Sequence, residues 1–464
     1  MVKSMKRKRY LFNCLKDPRQ ATRVISGWWR SRIERNPGDL AYEYSVMNAL
    51  ATDASVEFIP TGYYNFRGFP DAKIEEINET CAAFVCPLAD VFSDGFIPLV
   101  RRLTELVRQL RIPCIVPCVG LRATEGEWSP HAPEFDEIVR AFVRAILDKS
   151  SKIGVRGETT GRYLERLGFS RERDFVVVGC PSMYTYGTTL LQRALQPPQN
   201  FGRCAFSLNQ RASERDWRFI NGFADQFHEA VFVSQHYRVF EQFMLTNGRH
   251  TSNVVESRPV FKALLQKYAS ENRMRFFLNR KPWMDFLGSM DLSFGHRIHG
   301  ALLSILAGTP AVVIPFETRT EELARFHGIP VAFAPAMPLD WRKTSVGKFL
   351  ERLDFSSPER RQRENFANWL SFLHSNGLET VFDRMSNTGG GEIERSEFPL
   401  EGALPRRFPD DDIKAWRFNG MPLRARMTAA VGGALGRRIC GSVACRVKMA
   451  LTTVGLRNAS QTAP

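Results

Sequence analysis

Short runs rich in β-branched and aromatic residues alternate along this chain with longer stretches whose apolar positions recur every three to four residues. That is the pattern of strands and helices in parallel βαβ units. The first set of runs is Ser55–Pro60, Ala82–Pro87, Cys114–Gly120, Lys152–Val155 and Phe175–Gly179, with helical spacing over Phe96–Leu110 and Glu134–Leu147. The stretch Leu195–Arg203 contains Pro197, Pro198 and Gly202, breaks the alternation and reads as a linker. Alternation then resumes at Cys204–Leu208, Ala230–Ser234, Arg273–Leu278, Asp291–Phe294, Pro310–Pro315 and Val331–Ala334. A helical segment rich in Arg, Phe and Trp, Ser357–Met385, is expected to pack across the second set or back onto the first.

The pattern predicts an α/β protein of two Rossmann-like, doubly wound domains facing a cleft, with boundaries at residues 1–196 and 197–386. Residues 387–464 change in composition, from Gly389-Gly390-Gly391 to an Ala-, Gly- and Arg-rich stretch, and are expected to form a largely disordered tail. A helix over Met427–Leu451 would present Arg437, Arg438, Arg446 and Lys448 to an anionic membrane surface; a solvated low-complexity tail is the plainer alternative.

A chain of 464 residues suits two cores rather than one, and 44% hydrophobic with 24% charged residues excludes disorder throughout. The formal net charge of +15 draws anions of any kind, from small phosphates to acidic glycans, anionic lipid or nucleic acid. No zinc-finger, RNA-recognition or basic-zipper pattern is present, so no specific nucleic-acid partner is expected. The nine cysteines are odd in number and mostly lie in apolar runs, which predicts reduced, buried thiols. Cys114 and Cys118 lack a second ligand pair nearby, and no metal is expected. The basic start, Met1–Arg9, leads into an apolar stretch too short for a secretion signal, and no apolar run reaches membrane-spanning length. The expectation is a cytoplasmic protein whose contact with the inner face of a membrane, if any, runs through the basic tail.

The segment most loaded with chemistry is Asp291-Leu-Ser-Phe-Gly-His-Arg-Ile-His-Gly300. A buried strand ends at Phe294, Gly295 permits a tight turn, and a helix opens near His299 and Gly300. Arg297 and His299 therefore sit where ligands bind in open α/β sheets, beside helix N–H groups that favour anions. Arg297 offers a fork for carboxylate or phosphate, and His299 a group that moves protons near neutral pH. Such residues often serve only as caps or salt-bridge partners, and His296 is read as structural. Downstream, Arg319 with Thr318 and Thr320 opens another helix that either faces the same crevice or is merely capped and solvated. Asn36-Pro37-Gly38-Asp39 is a turn before a helix over Leu40–Leu50, with Asp39 favoured as its cap and, alternatively, a base for a sugar hydroxyl. Arg156 and Ser182 follow two strands and would share one rim of the first sheet; Cys180 is not expected to act as a nucleophile. Phosphate-loop, dinucleotide and paired-acid metal motifs are missing from the sequence.

Four matches in order give a family resemblance: Asn36-x-Gly38-Asp39, Val155-Arg156-Gly157-Glu158, Gly179-Cys180-Pro181-Ser182, and Arg297-Ile298-His299 continuing through Ala307-Gly308-Thr309-Pro310. Together they resemble the polysaccharide pyruvyl transferases over roughly residues 24–330. The usual Gly before the first motif is Arg35 here, and Ile298 replaces the usual Leu. The resemblance implies two facing Rossmann-type domains similar to B-type glycosyltransferases. It implies no cofactor beyond phosphoenolpyruvate as co-substrate, and transfer of a pyruvate ketal to an oligosaccharide or lipid-linked glycan. It maps donor contacts onto Arg297, Ile298 and His299, and implies a further basic residue after the first strand of the second domain, for which Arg211 is the counterpart. Arg319 and Arg211 would help hold the donor's charge, a protonated His299 would supply the methylene proton, and Asp39 would activate the hydroxyl. Two rivals remain at this stage. A nucleotide-sugar glycosyltransferase of the same architecture would read its ribose with Glu317 or Glu321, and a non-catalytic glycan-binding scaffold would need neither.

Overall fold

A computed structural model of the protein describes residues 8–20, 36–122, 134–236, 239, 242–243, 252–333 and 346–383. All lie within one compact unit, Met1–Ile413. The expected tail and its membrane-facing helix lie outside the described residues.

The elements alternate as the sequence predicts. The first part comprises β1 (Arg9–Phe12), α1 (Gly38–Leu50), β2 (Glu57–Pro60), α2 (Asp71–Thr80), β3 (Ala83–Val85), α3 (Ile97–Gln109), β4 (Cys114–Ile115), α4 (Phe135–Leu147), β5 (Ile153–Val155), α5 (Glu158–Arg166) and β6 (Phe175–Val177). The second comprises β7 (Arg203–Ser207), α6 (Glu214–Ala224), β8 (Glu229–Val233), α7 (Asn253–Glu256), α8 (Pro259–Ser270), β9 (Met274–Arg275), α9 (Arg280–Gly288), β10 (Leu292–Gly295), α10 (Ile298–Leu306), β11 (Ala311–Val313), α11 (Thr318–Phe326), α12 (Val346–Leu350) and α13 (Ser357–Ser375).

One sheet runs β2-β1-β3-β4, wholly parallel, and an isolated bridge from Val119 to Val155 joins it to the parallel pair β5-β6. The other runs β11-β10-β7-β8-β9, also wholly parallel. Its winding reverses between β7 and β10, which opens a crevice at their carboxyl ends.

The helices follow from their patterns. In α3, Leu99, Val100, Leu103, Leu106 and Val107 are buried along one face, and Pro98 at the start has the backbone angle a first turn requires. By contrast α10 is buried over its whole length, with His299 and Ser304 as its polar side chains. Its Ile298, Ala301, Leu302, Leu303, Ile305 and Leu306 belong to a central apolar cluster with Tyr10 and Phe12 of β1, Met47 and Leu50 of α1, and Trp369 of α13. The outer faces of the two sheets carry separate clusters, one on Leu103, Phe142 and Tyr163, the other on Phe206, Phe223 and Phe294. The molecule is therefore layered: two outer cores and one inner core shared by both sheets.

Arg193, just before the expected linker, donates to the carbonyls of Gly308, Met290 and Gly288 and to Thr309 Oγ1 at 2.6–3.2 Å. Helix α13 returns to the first sheet, as one of the two sequence alternatives expected. Gln362 Nε2 donates to the carbonyls of Met183 and Gly187 at 2.7 Å each, and Asn376 accepts from Ser151 N–H and donates to Lys152 O.

Three sequence expectations are revised. Strand β1 was not predicted: four residues beside a basic terminus carry no visible period, yet they pair with both β2 and β3. The runs at Cys114–Gly120 and Arg273–Leu278 shorten to two paired residues each, and Val331 contributes only a bridge to Val313. Asp39 does not cap α1; it lies inside the first turn, fully buried, and Asn36 Oδ1 instead accepts from Gly38 N–H at 3.0 Å.

Candidate functional site

The site begins with the turn after β10. Gly295 has φ +125, a backbone region closed to most side chains, and a Cβ there would lie 2.2 Å from the carbonyl oxygen of Ser207. Its absence lets β10 end hard against β7. His296 N–H then donates to Ser207 O and Arg297 N–H to Ser207 Oγ, both at 3.1 Å. These bonds fix the residue preceding α10 and hence the direction of Arg297. Its Nε is buried without a hydrogen-bond partner, and among the described residues no carboxylate forms an ion pair with it. Burial pushes its guanidinium down to about 10, against the opposing pull of Glu317, so it stays charged at neutral pH.

His299, one residue into α10, is buried, and its imidazole lies against the backbone of Gly38. A Cβ on Gly38 would fall 2.2 Å from His299 Nδ1, so that position admits only a glycine in this arrangement. The first and fourth sequence motifs, far apart in the chain, thus meet in space. On the ring's other side Nε2 lies 3.8 Å from Cys180 Sγ, and Tyr42 lies 5.9 Å away centroid to centroid. Burial, then the guanidiniums of Arg156 and Arg319, hold His299 well below the ordinary histidine range. Its resting form is therefore the neutral imidazole, whereas the sequence reading used a protonated one.

Arg156 follows β5 and is buried. It stacks over Tyr42 at 4.7 Å, donates from Nε to Leu88 O at 3.3 Å, and reaches Cys118 Sγ at 3.8 Å. Ser182 is also fully buried; its Oγ accepts from Cys180 Sγ at 3.3 Å, and its carbonyl accepts from Thr185 Oγ1 at 2.8 Å. Cys180 N–H donates to His327 Nε2 at 2.8 Å, which places the His327 proton on Nδ1. His296 Nδ1 accepts from Asn209 N–H at 3.0 Å, and burial pushes both His296 and His327 down to about 3. Both are structural acceptors, as read for His296 from sequence.

Arg319 opens α11 as expected, but it is not free. Its guanidinium pairs with Asp90 at 2.6 Å and with Glu317, and Asp90 also pairs with Arg122. Although burial opposes ionisation, Arg319 and Arg122 hold the Asp90 carboxyl far below the usual range. Thr320 lies beside Glu317 at 3.4 Å. Asp90 and Arg122 follow β3 and β4 and were not picked out from sequence. The signal available was their position just past strand ends, the same rule that exposed Arg297. Four guanidiniums, those of Arg122, Arg156, Arg297 and Arg319, thus surround His299 or one another against two carboxylates, Asp90 and Glu317. The excess is positive, which suits an anionic ligand.

Arg211 is exposed on the loop after β7, where its N–H donates to Asn209 Oδ1 at 2.9 Å. Glu317 is occupied by Arg319, and Glu321 pairs with Arg325 at 2.7 Å. Among the described residues, no group of three or more His, Cys, Asp or Glu side chains is placed to hold a metal ion, and no helix is long and apolar enough to cross a membrane.

Comparison with known proteins follows the same outline. Residues 89–317 match the family model described as polysaccharide pyruvyl transferase, a span holding Asp90, Arg122, Arg156, Ser182, Arg297 and His299. No curated protein matches the sequence significantly. Similar solved structures include Anabaena HepE in complex with UDP, at 11% identity over 82% of this chain and 100% of that one, TM-score 0.39. The Methanocaldococcus jannaschii UDP-GlcNAc 2-epimerase in complex with UDP-GlcNAc and UDP shows 11% identity over 78% of this chain and 99% of that one, TM-score 0.39. Likeness at this level assigns neither substrate nor activity to this chain.

Proposed function

Since residues 89–317 match the polysaccharide pyruvyl transferase family model, we propose that the protein places the pyruvyl group of phosphoenolpyruvate on a glycan as a pyruvate ketal. The acceptor is a sugar of a surface polysaccharide or of its lipid-linked precursor. The observation that carries this reading is the convergence of an unpaired Arg297 and a neutral, buried His299 within a positively charged cluster.

The chemistry balances on these residues. A sugar hydroxyl oxygen attacks C2 of the enol phosphate while its proton passes to the neutral His299, which returns it to C3; the methylene becomes a methyl and C2 a tetrahedral phosphate ketal. A second hydroxyl of the same sugar then displaces the phosphate at C2, its proton leaving on the phosphate, so that the cyclic ketal closes and inorganic hydrogen phosphate is released. The guanidinium excess stabilises the donor's charge and the phosphate as it leaves. Asp39 is wholly buried behind Gly38 and Arg319 is committed to Asp90 and Glu317, so both are assigned positioning roles rather than direct contact. Peripheral membrane contact through the tail remains part of the proposal for a lipid-linked acceptor.

Calorimetric titration of phosphoenolpyruvate, with uridine diphosphate as control, tests the reading. The wild type is expected to bind phosphoenolpyruvate saturably, and Arg297→Ala to weaken it about 10- to 100-fold, as when a charge-assisted hydrogen bond is lost. Nucleotide binding without phosphoenolpyruvate binding would move the protein to the glycosyltransferases.

A further inference from the structure

Helix α5 begins directly after Arg156-Gly157, yet no side chain of its own first turn caps it. Gly157 has none to offer, and Glu158 is turned away to Arg171, at 2.8 and 3.1 Å. An acceptor for its orphan N–H groups comes instead from α11, 163 residues on: Glu322 Oε2 accepts from Thr159 N–H at 3.2 Å. Gly157 lets the carboxylate in. Its φ of −177 is extended backbone that any residue adopts, so space rather than conformation demands the glycine. A Cβ there would lie 1.8 Å from Glu322 Oε1 and 2.3 Å from its Cδ, in the volume the carboxylate fills.

The same face of α11 touches the first part of the chain twice more. One turn before Glu322, Arg319 pairs with Asp90 at 2.6 Å, past the end of β3. One turn after it, Phe326 packs on Gly179, past the end of β6, where a Cβ would lie 2.4 Å from the ring; His327 Nε2 then accepts from Cys180 N–H at 2.8 Å. Positions 319, 322 and 326 are spaced as one helix face, so a single stripe of α11 lies across the carboxyl ends of β3, β5 and β6. Electrostatics act against this arrangement. Burial and the neighbouring Arg156 both oppose the charge on Arg319, although Asp90 and Glu317 outweigh them. Two guanidiniums of like sign repel, so their elements must be tied, and the tie closest in sequence to Arg156 is Glu322.

We infer that Glu322 is a positioning residue: by capping α5 from the other sheet, it holds Arg156 at a fixed separation from Arg319 and His299 and so keeps the guanidinium cluster aimed at one anion. It does not itself meet a ligand. Its effect reaches the site through the backbone of Arg156 and Gly157. The inference rests on the pyruvyl-transfer reading for the identity of that anion. It also makes Gly157 conditional: the glycine is required because Glu322 occupies the space beside it.

The test titrates phosphoenolpyruvate into the full chain as wild type, Glu322→Gln, Glu322→Ala, Gly157→Ala and the double variant Gly157→Ala/Glu322→Ala, well below every unfolding midpoint, with those midpoints measured separately. Glu322→Ala deletes the cap and Gly157→Ala evicts it, so each is expected to weaken binding about tenfold, as when a binding group is held out of place. The double variant is expected to bind no more weakly than Glu322→Ala, because the added methyl enters vacated space. Glu322→Gln keeps an oxygen for Thr159 N–H and is expected to lose about threefold or less. A lowered midpoint with wild-type affinity in folded Glu322→Ala would make the cap structural alone and overturn the inference, leaving the pyruvyl-transfer reading standing. So would losses that add in the double variant, or a loss in Glu322→Gln as large as in Glu322→Ala. A wild type that binds no phosphoenolpyruvate would overturn the reading and the inference together.

Discussion

Arg297 and Arg319 stand at successive strand-to-helix turns of one sheet, and from sequence both were candidates for holding the donor. Their surroundings separate them. Arg319 is closed in by Asp90 and Glu317, and Asp90 is shared with Arg122, so the charges satisfy each other inside the protein. Arg297 is held through its own N–H on Ser207 Oγ, and its guanidinium Nε is buried without a hydrogen-bond partner. One arginine is neutralised within the protein; the other is the one proposed to meet the donor. Residue type and position at a strand end were the same in both, and the partners made the difference.

The sharpest way to break this comparison is to remove the satisfied arginine. Arg319→Met leaves Asp90 and Glu317 buried with less compensation and is expected to cost about 3–5 kcal/mol of unfolding free energy, read by urea denaturation. Arg297→Ala, which strands no carboxylate, should leave the denaturation midpoint close to wild type. If both variants unfold at the same urea concentration, the division of labour is wrong.

A smaller effect sharpens the other side of the site. Gly38→Ala drives a methyl into His299 and is expected to cost about 1–3 kcal/mol as an overpacked contact. Donor binding at Arg297 should survive, while phosphate release in the presence of an acceptor falls. An unchanged release rate would show that His299 does not need this seat.

The smallest effect per step is the response to acid. His296 and His327, pushed to about 3, and His299, also depressed, are neutral when folded but titrate near 6.5 when unfolded. The unfolded chain therefore binds more protons below that value. Stability is complete above about pH 6.5 and is lost as the pH falls, by about 1.4 kcal/mol per pH unit for each such histidine. In His296→Asn, whose amide oxygen can still accept from Asn209 N–H, thermal midpoints between pH 6.5 and 4.5 should fall less steeply than in the wild type.

The strand and helix alternation was legible because buried parallel strands and one-sided helices leave strong periods, as in α3 and in the run around Phe175. β1 was not, because four residues cannot show a period and its own Arg9, with Lys8 before it, reads as part of a charged terminus. At the site, Arg297 and His299 could be found from a strand end, a glycine and a helix start. Asp90 and Arg122 could not be singled out, since isolated polar residues in loops acquire meaning only through what the fold sets beside them. Asp39 shows the same limit from the other direction: the turn chemistry was right, but Asn36 performs the support expected of it.

The inner core that both sheets share has a consequence for turnover. Ile298 and Leu302 of α10 are packed in one apolar cluster with residues of α1 and α13, so prising the sheets apart would expose that cluster to water. A clamshell cycle, opening to load and closing to react, would have to expose and rebury it at each round. This architecture instead favours a site assembled once, at folding, whose groups keep their spacing.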